Sequence, residues 1–152
     1  MPNLYAPPSA NLTDDRPKPV NLLVVLLGAA IGNGIAYAVL SISGLVFVWI
    51  LAAEGVAAQE LYARAYQTTW YLIFAHLLGL LCLVPAGYWT ARFSKERAVG
   101  NAARAGSLIA LLSLLQILVP FNLPIPIWSQ MASVLVPTPA YLLGAYIWRH
   151  IR

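Results

Sequence analysis

The chain is poor in charged residues, and long stretches of it carry almost none. Only 9% of its 152 residues are Asp, Glu, Lys or Arg, whereas 61% are hydrophobic. Soluble domains carry about 25% charged residues, so a water-soluble fold of this length is excluded. Because about 20 apolar residues cross the hydrocarbon core of a bilayer, the pattern predicts four membrane-spanning segments. They lie within residues 20–53, 66–91, 105–120 and 125–148.

Carboxylates are missing from these segments. The five acidic residues all fall in tails or loops: Asp14, Asp15, Glu54, Glu60 and Glu96. A proton-coupled exporter usually places an acidic residue inside the membrane. A small multidrug exporter of four helices is therefore disfavoured.

Cysteine and catalytic residue sets are also scarce. Cys82 is the single cysteine and lies in an apolar stretch, so a disulfide framework and a cysteine metal cluster are excluded. The chain has no paired Ser/His/Asp set, no Cys/His ligand spacing and no His pair for haem. We therefore expect no enzymatic activity, no metal and no cofactor.

The basic residues are present, and their positions predict the topology. Eight of the nine lie in three groups, and only Arg64 falls elsewhere. Basic residues mark the cytoplasmic side of a membrane protein, so both termini and the loop near residues 92–104 are predicted to be cytoplasmic. The net charge of +4 then reflects topology and does not indicate nucleic-acid binding. The groups are Arg16 and Lys18; Arg92, Lys95, Arg97 and Arg104; and Arg149 and Arg152.

The predicted organisation is a tail followed by one membrane domain. Residues 1–19 contain five prolines and predict an extended or disordered cytoplasmic tail. Residues 20–152 predict an all-α, up-down-up-down four-helix bundle. The first helix exceeds the bilayer, so it either projects beyond the membrane or breaks at Gly32–Gly34 or Ser43–Gly44. The predicted helices are about 20–53, 66–89, 102–119 and 127–148.

Two polar residues are predicted near the middle of the membrane. Asn33 and His76 lie 13 residues from the cytoplasmic boundaries at Val20 and Trp89, which is about 20 Å at 1.5 Å per residue. Polar groups at this depth usually face protein or a water-filled cavity. His76 is therefore a candidate proton or substrate relay. Alternatively, Asn33 and His76 form a structural hydrogen bond, worth about 0.6 kcal/mol.

Small residues on the first helix predict close helix packing. Gly28, Gly32 and Ala36 recur at a spacing of four, which lets two helices approach closely. The partner helix belongs either to the same chain, which is the favoured alternative, or to another chain.

The segment Pro137–Pro139 interrupts the fourth helix. Its two prolines remove two backbone donors, and Pro139 disfavours a helical conformation for Thr138. Broken helices frame binding sites in many transporters, which makes Thr138 a further ligand candidate. Most prolines in membrane helices only kink them, however.

Four basic residues of the central loop are candidates for lipid binding. Arg92, Lys95, Arg97 and Arg104 together could hold anionic lipid headgroups. Membrane topology alone would also place these charges here.

Two short stretches carry a family resemblance. Asn3-Leu4-Tyr5-Ala6-Pro7-Pro8 resembles the NPYAPP tail that opens many small bacterial membrane proteins, with Leu4 in place of the first proline. Gly87-Tyr88-Trp89-Thr90-Ala91-Arg92, followed by Asn101-Ala102 and Gly106, resembles a cytoplasmic-loop pattern of uncharacterised four-helix inner-membrane proteins. The resemblance implies a multi-pass protein of the bacterial inner membrane and implies no activity.

These observations favour a non-enzymatic accessory or interaction subunit of a membrane complex. Its expected partners are the lipid bilayer and either another membrane protein or a second copy of the chain. One alternative is an oligomeric transporter or channel for small molecules or ions, which would use His76, Asn33 and the interrupted fourth helix. Another is an immunity protein against a membrane-active toxin, which the sequence neither supports nor excludes.

Overall fold

The fold is a bundle of α-helices. A computed structural model describes residues 20–94, 97–119 and 124–151, so the predicted disordered tail 1–19 lies outside the described residues. The prediction of an all-α bundle is confirmed, with four spans long and apolar enough to cross a membrane: α1, α3, α4, and α5 together with α6. The helices are α1 (Leu22–Ala53), α2 (Leu61–Gln67), α3 (Thr69–Ser94), α4 (Ala98–Leu118), α5 (Ile127–Leu135) and α6 (Pro137–Ile151).

The four spans alternate in direction, which gives the bundle two distinct ends. We call one the basic end, where α1 and α4 begin and α3 and α6 finish; Arg92, Arg97, Arg104 and Arg149 lie there. The opposite end, with the short helix α2 and Arg64, is the far end. α6 packs against α3 and α4, and α1 packs mainly against α3.

α1 is one continuous helix, so the predicted alternative of a break at Gly32–Gly34 or Ser43–Gly44 is wrong. Its 32 residues span about 48 Å at 1.5 Å per residue. Asn21 caps its first turn, with the side-chain oxygen 3.2 Å from the Val24 amide nitrogen. The helix stops before Gly55, whose φ of 85° lies in the left-handed region that glycine adopts without strain.

α3 and α4 extend further towards each other than predicted. α3 runs to Ser94 and α4 begins at Ala98, so the segment Gly87–Arg92 lies in the last turns of a helix and not in a loop. Two buried hydroxyls support this extension: Thr90 donates to the Ala86 carbonyl at 2.7 Å, and Ser94 donates to the Thr90 carbonyl at 2.6 Å. Because these polar groups are satisfied inside the helix, they can be buried.

The fourth span is interrupted at Val136 but is not unwound. Val136 keeps helical angles (φ −73°, ψ −36°), and its amide donates to the Ala132 carbonyl at 3.0 Å. Pro137 and Pro139 have no amide hydrogen, so the carbonyls of Ser133 and Leu135 lose their usual helical donors. The expected break is therefore a single-residue interruption between α5 and α6.

The packed core consists of two clusters. The cluster towards the basic end is built of small residues around Tyr141, including five alanines on α3, α4 and α6 that are at most 1% exposed. The cluster towards the far end is aromatic: the rings of Phe47 and Tyr71 stack at 4.3 Å, and Trp70 packs edge-on against Phe47 at 4.8 Å. The region between the clusters is not filled. The five alanines are Ala91, Ala102, Ala105, Ala140 and Ala145.

Candidate functional site

A half-open cavity lies between the two packed clusters, with residues of the four spans on its walls. Its inner chamber, about 220 Å³, is lined by α1, α3, α4 and the segment from Ser129 to Pro137. An adjoining outer chamber of about 330 Å³ extends towards the far end, where Tyr66, Val119 and Ile125 line it. Small-molecule sites are typically about 300–1,000 Å³, so the cavity is large enough for a small ligand.

The two chambers meet at a set of polar side chains, which we call the polar ring. Six residues line both chambers, and all except Leu72 are polar. They come from α3, α4 and α5, so three spans contribute to one layer. Polar groups are costly inside a membrane unless they face protein or water. Their convergence on one cavity therefore indicates a candidate binding site. The polar ring is His76, Ser113, Gln116, Ser129 and Ser133.

His76 and Ser129 join α3 to α5 across the cavity. The His76 Nε2 atom lies 2.9 Å from the Ser129 Oγ atom, and the Trp128 ring contacts the imidazole edge-on at 5.8 Å. The alternative hydrogen bond between His76 and Asn33 is therefore wrong. His76 is seven residues from the start of α3, about 10 Å from the far end, so it lies in the outer half of the span and not in its middle.

Gln116 and Tyr37 join α4 to α1 beside the inner chamber. The Gln116 side-chain amide donates to the Tyr37 hydroxyl, and both residues line the chamber while remaining partly exposed on the bundle surface. This contact joins two spans at the exposed side of the cavity.

Two polar side chains of the inner chamber, Asn33 and Ser113, have donors and acceptors that are not used in side-chain hydrogen bonds among the described residues. Among the described residues, neither the Asn33 amide nor the Ser113 hydroxyl has a side-chain hydrogen-bond partner, and both side chains are only half-buried. Asn33 and His76, which the sequence singled out separately, thus line the same chamber without touching. Both groups are available to a ligand.

The basic side of the cavity is closed by close backbone contact. A Cβ atom added at Gly87 would lie 2.5 Å from the Tyr141 Cα, and one added at Gly144 would lie 2.5 Å from the Tyr88 nitrogen. The fully buried Tyr141 hydroxyl donates to the Gly28 carbonyl at 2.8 Å, which ties α6 to α1. Small residues allow this approach, because any side chain at Gly87 or Gly144 would push α3 and α6 apart.

The predicted small-residue face of α1 packs inside the chain. A Cβ added at Gly28 would lie 3.0 Å from Thr90 Cγ2, and one added at Gly32 would lie 2.6 Å from Ala86 Cβ. Ala36 is buried and lines the inner chamber. This face is therefore occupied by α3 and α6 and is not free for a second chain.

Thr138 lies beside the cavity and not in it. Its Cα would be 2.8 Å from a Cβ added at Gly106, so it marks the contact between α6 and α4. Its neighbour Pro137 lines the inner chamber instead. Thr138 is therefore not a ligand candidate, whereas Ser129 and Ser133 of α5 line the cavity.

The predicted headgroup residues are spread over the basic end. The Arg92 guanidinium lies 4.9 Å above the Trp89 ring, and Arg104 donates to the Asn101 side-chain oxygen at 3.3 Å. Arg97 is half-buried at the start of α4. Lys95 lies outside the described residues.

The candidate site offers hydrogen bonds and apolar surface. Within residues 20–94, 97–119 and 124–151, no three His, Cys, Asp or Glu side chains are grouped so that they could hold a metal ion. Among the described residues, no Asp, Glu, Lys or Arg lines either chamber.

Sequence reasoning missed most of the polar ring. Ser113 and Gln116 are three residues apart, and Ser129 and Ser133 are four apart, so each pair shares one helix face. This spacing of polar residues within apolar helices is the feature of the sequence that could have indicated a polar site. The partners of these residues across the bundle depend on how the spans pack, which a single sequence does not show.

No family model, curated protein or solved structure matches the chain. The geometry of the cavity therefore carries the functional argument.

Proposed function

We propose that this protein is a small multi-pass membrane transporter that binds its solute in the cavity at the polar ring. One observation carries the proposal: five polar side chains from three different spans converge on a half-open cavity whose inner chamber is lined by all four spans. A structural role would need only pairwise contacts such as His76–Ser129, whereas Ser113 and Asn33 face the chamber without side-chain partners among the described residues.

The packing supports access from one side. The outer chamber reaches the far end, whereas the basic side is closed by direct backbone contact between α3 and α6. Transporters bind substrate within the membrane and expose the site to one side at a time, often beside a discontinuous helix. The interruption at Val136, which lines the inner chamber, fits that arrangement.

The proposed location is the bacterial inner membrane, with the basic end in the cytoplasm. The distribution of basic residues supports the orientation, since Arg92, Arg97, Arg104 and Arg149 lie at one end and Arg64 at the other. The resemblance of the N-terminal tail supports the bacterial membrane. In this orientation the outer chamber reaches the periplasmic side.

The test is protein-dependent flux in proteoliposomes. Purified protein is reconstituted, and the efflux of radiolabelled urea, glycerol, nicotinamide, nicotinate and rubidium is compared with that from empty vesicles. We expect at least one solute to move faster with the protein present. His76→Leu should abolish that flux, because the substitution removes the hydrogen bond to Ser129 and a polar group of the site.

His150→Leu is the matched control. His150 is exposed at the end of α6, where its ring nitrogen lies 3.0 Å from the Tyr146 carbonyl, far along the helix from the cavity. The same substitution there should leave flux unchanged. If no solute in the panel moves faster with the protein than without it, the transporter proposal fails.

A second candidate remains the accessory or interaction subunit. The observation that favours it is on α1, where Ala30, Gly34 and Ala38 are exposed on one side and a Cβ added at Gly34 would meet no atom within 4 Å. Small residues at this spacing can seat another helix. Mass spectrometry of the intact assembly, purified in mild detergent, decides between the candidates: a larger protein in fixed stoichiometry supports the accessory role, and its absence counts against it.

A further inference from the structure

We infer that the inner chamber takes a neutral solute about the size of one aromatic ring, held by hydrogen bonds to Asn33 and Ser113 on its wall. The inference rests on the proposed function and names the substrate class of the same site. It follows from three properties of the chamber: its charge, its polar groups and its volume.

Among the described residues, no Asp, Glu, Lys or Arg side chain lines the chamber to balance an ion, and the one histidine on its wall, His76, is paired with Ser129. Even a charged side chain costs about 2.5–3.5 kcal/mol at the centre of a membrane span, and an unpaired ion in a mostly apolar chamber meets the same penalty. A neutral solute avoids that penalty.

The polar groups of the chamber fit a solute that both donates and accepts hydrogen bonds. Asn33 offers an amide oxygen and an amide nitrogen, and Ser113 offers a hydroxyl, all without side-chain partners among the described residues. An amide donates and accepts, and so does a hydroxyl. A solute with a carboxamide or hydroxyl group can therefore pair with both residues, whereas a pure hydrocarbon would leave them unsatisfied.

The remaining surface and the volume fit a ring. Apolar side chains form the rest of the chamber wall, among them Leu80, Leu83, Ile109 and Val136. An apolar cavity of about 150 Å³ is enough to hold benzene. The inner chamber, at about 220 Å³, therefore has room for a single ring with one small polar substituent.

The test uses three probes that share a ring and differ in charge: nicotinamide (neutral), nicotinate (anionic) and 1-methylnicotinamide, which is methylated on the ring nitrogen (cationic). Their binding to the protein in lipid nanodiscs is measured by equilibrium dialysis, with empty nanodiscs as the blank. We expect saturable binding of nicotinamide and at least tenfold weaker binding of the two ions. Binding of either ion that is as tight as or tighter than that of nicotinamide would overturn the inferred class, while any flux seen in proteoliposomes would still support the transporter proposal.

Gly79 provides a variant that fills the chamber. It lines the inner chamber, and a Cβ added there would meet only Leu40 Cδ1, at an ordinary 3.9 Å. Gly79→Leu should therefore weaken nicotinamide binding at least tenfold. Gly34→Leu is the matched control, since a Cβ at Gly34 meets no atom of the described residues within 4 Å and Gly34 is not part of the chamber wall. It should bind nicotinamide as the wild type does.

A third variant keeps the inference testable if Gly79→Leu does not fold. Ser113→Ala adds no volume and removes one free hydroxyl of the chamber, so nicotinamide binding should weaken about fivefold. Two results would overturn the inference: no saturable nicotinamide binding by the wild type, or binding that is unchanged in folded Gly79→Leu and in Ser113→Ala. The flux panel tests the transporter role separately from either result.

Discussion

Adding one methyl group at Gly87 is expected to separate α3 from α6. The new Cβ in Gly87→Ala would lie 2.5 Å from the Tyr141 Cα and 2.8 Å from the Tyr141 carbonyl carbon. Carbon atoms in contact sit about 3.5–4.0 Å apart, so the two helices must move apart by about 1 Å. Because both clashing atoms belong to the backbone, no side-chain rotation can relieve the contact.

Gly79→Ala on the same helix is the control variant for the cost of the clash at Gly87. Both substitutions gain the same intrinsic helix propensity, up to about 1 kcal/mol, so that gain cancels in the comparison. Overpacking typically costs about 1–3 kcal/mol, and only Gly87→Ala incurs it, since the Cβ at Gly79 meets Leu40 at 3.9 Å. We expect Gly87→Ala to be less stable than Gly79→Ala by about 2 kcal/mol, roughly thirtyfold in the folding equilibrium.

The assay is reversible unfolding in mixed micelles, with the mole fraction of sodium dodecyl sulfate as the variable and far-ultraviolet circular dichroism as the signal. Wild type, Gly79→Ala and Gly87→Ala are titrated under identical conditions. Equal midpoints for the two variants would refute the reasoning, because they would show that α3 and α6 are not held in backbone contact at Gly87.

Two further predictions use the same titration. Tyr141→Phe removes the hydroxyl that donates to the Gly28 carbonyl, so it should lower the free energy of unfolding by about 1 kcal/mol; an unchanged midpoint would mean that this hydrogen bond does not tie α6 to α1. Gly55→Ala forces a side chain onto a residue with φ of 85° and should cost about 1 kcal/mol, whereas Gly100→Ala, whose Cβ would meet only Arg104 at 3.7 Å, should not destabilise the fold.

The sequence was sufficient to predict the fold class because lipid imposes a simple rule. Each span must be apolar over about 20 residues, and charges collect between the spans, so the distribution of charge identifies them. The ends of the helices were harder to predict. Thr90 and Ser94 were predicted to lie in a loop, yet their hydroxyls donate hydrogen bonds to carbonyls one turn earlier, and α3 continues through both residues. Local hydrogen bonds of this kind are invisible in a count of charges.

The candidate site was only half predictable, because it depends on which helix faces meet. Asn33 and His76 stood out as polar residues within apolar spans, and both line the inner chamber. The partner of His76 is Ser129, which lies 53 residues away and resembles any other serine in sequence. Packing within the chain was the favoured alternative for Gly28 and Gly32 and is confirmed, but the surfaces that they meet are set by the crossing of α3 and α6.

The interruption at Val136 divides the fourth span into two helices, α5 and α6, that are joined at a single residue. α6 is fixed on one side of this residue by direct backbone contact, while α5, on the other side, is a nine-residue rod that packs mainly against α4. Ser129 lies on α5 seven residues before Val136, which is about 10 Å along the helix axis. A rotation of about 10° at Val136 would displace Ser129 by about 2 Å, a distance that would break its 2.9 Å hydrogen bond with His76.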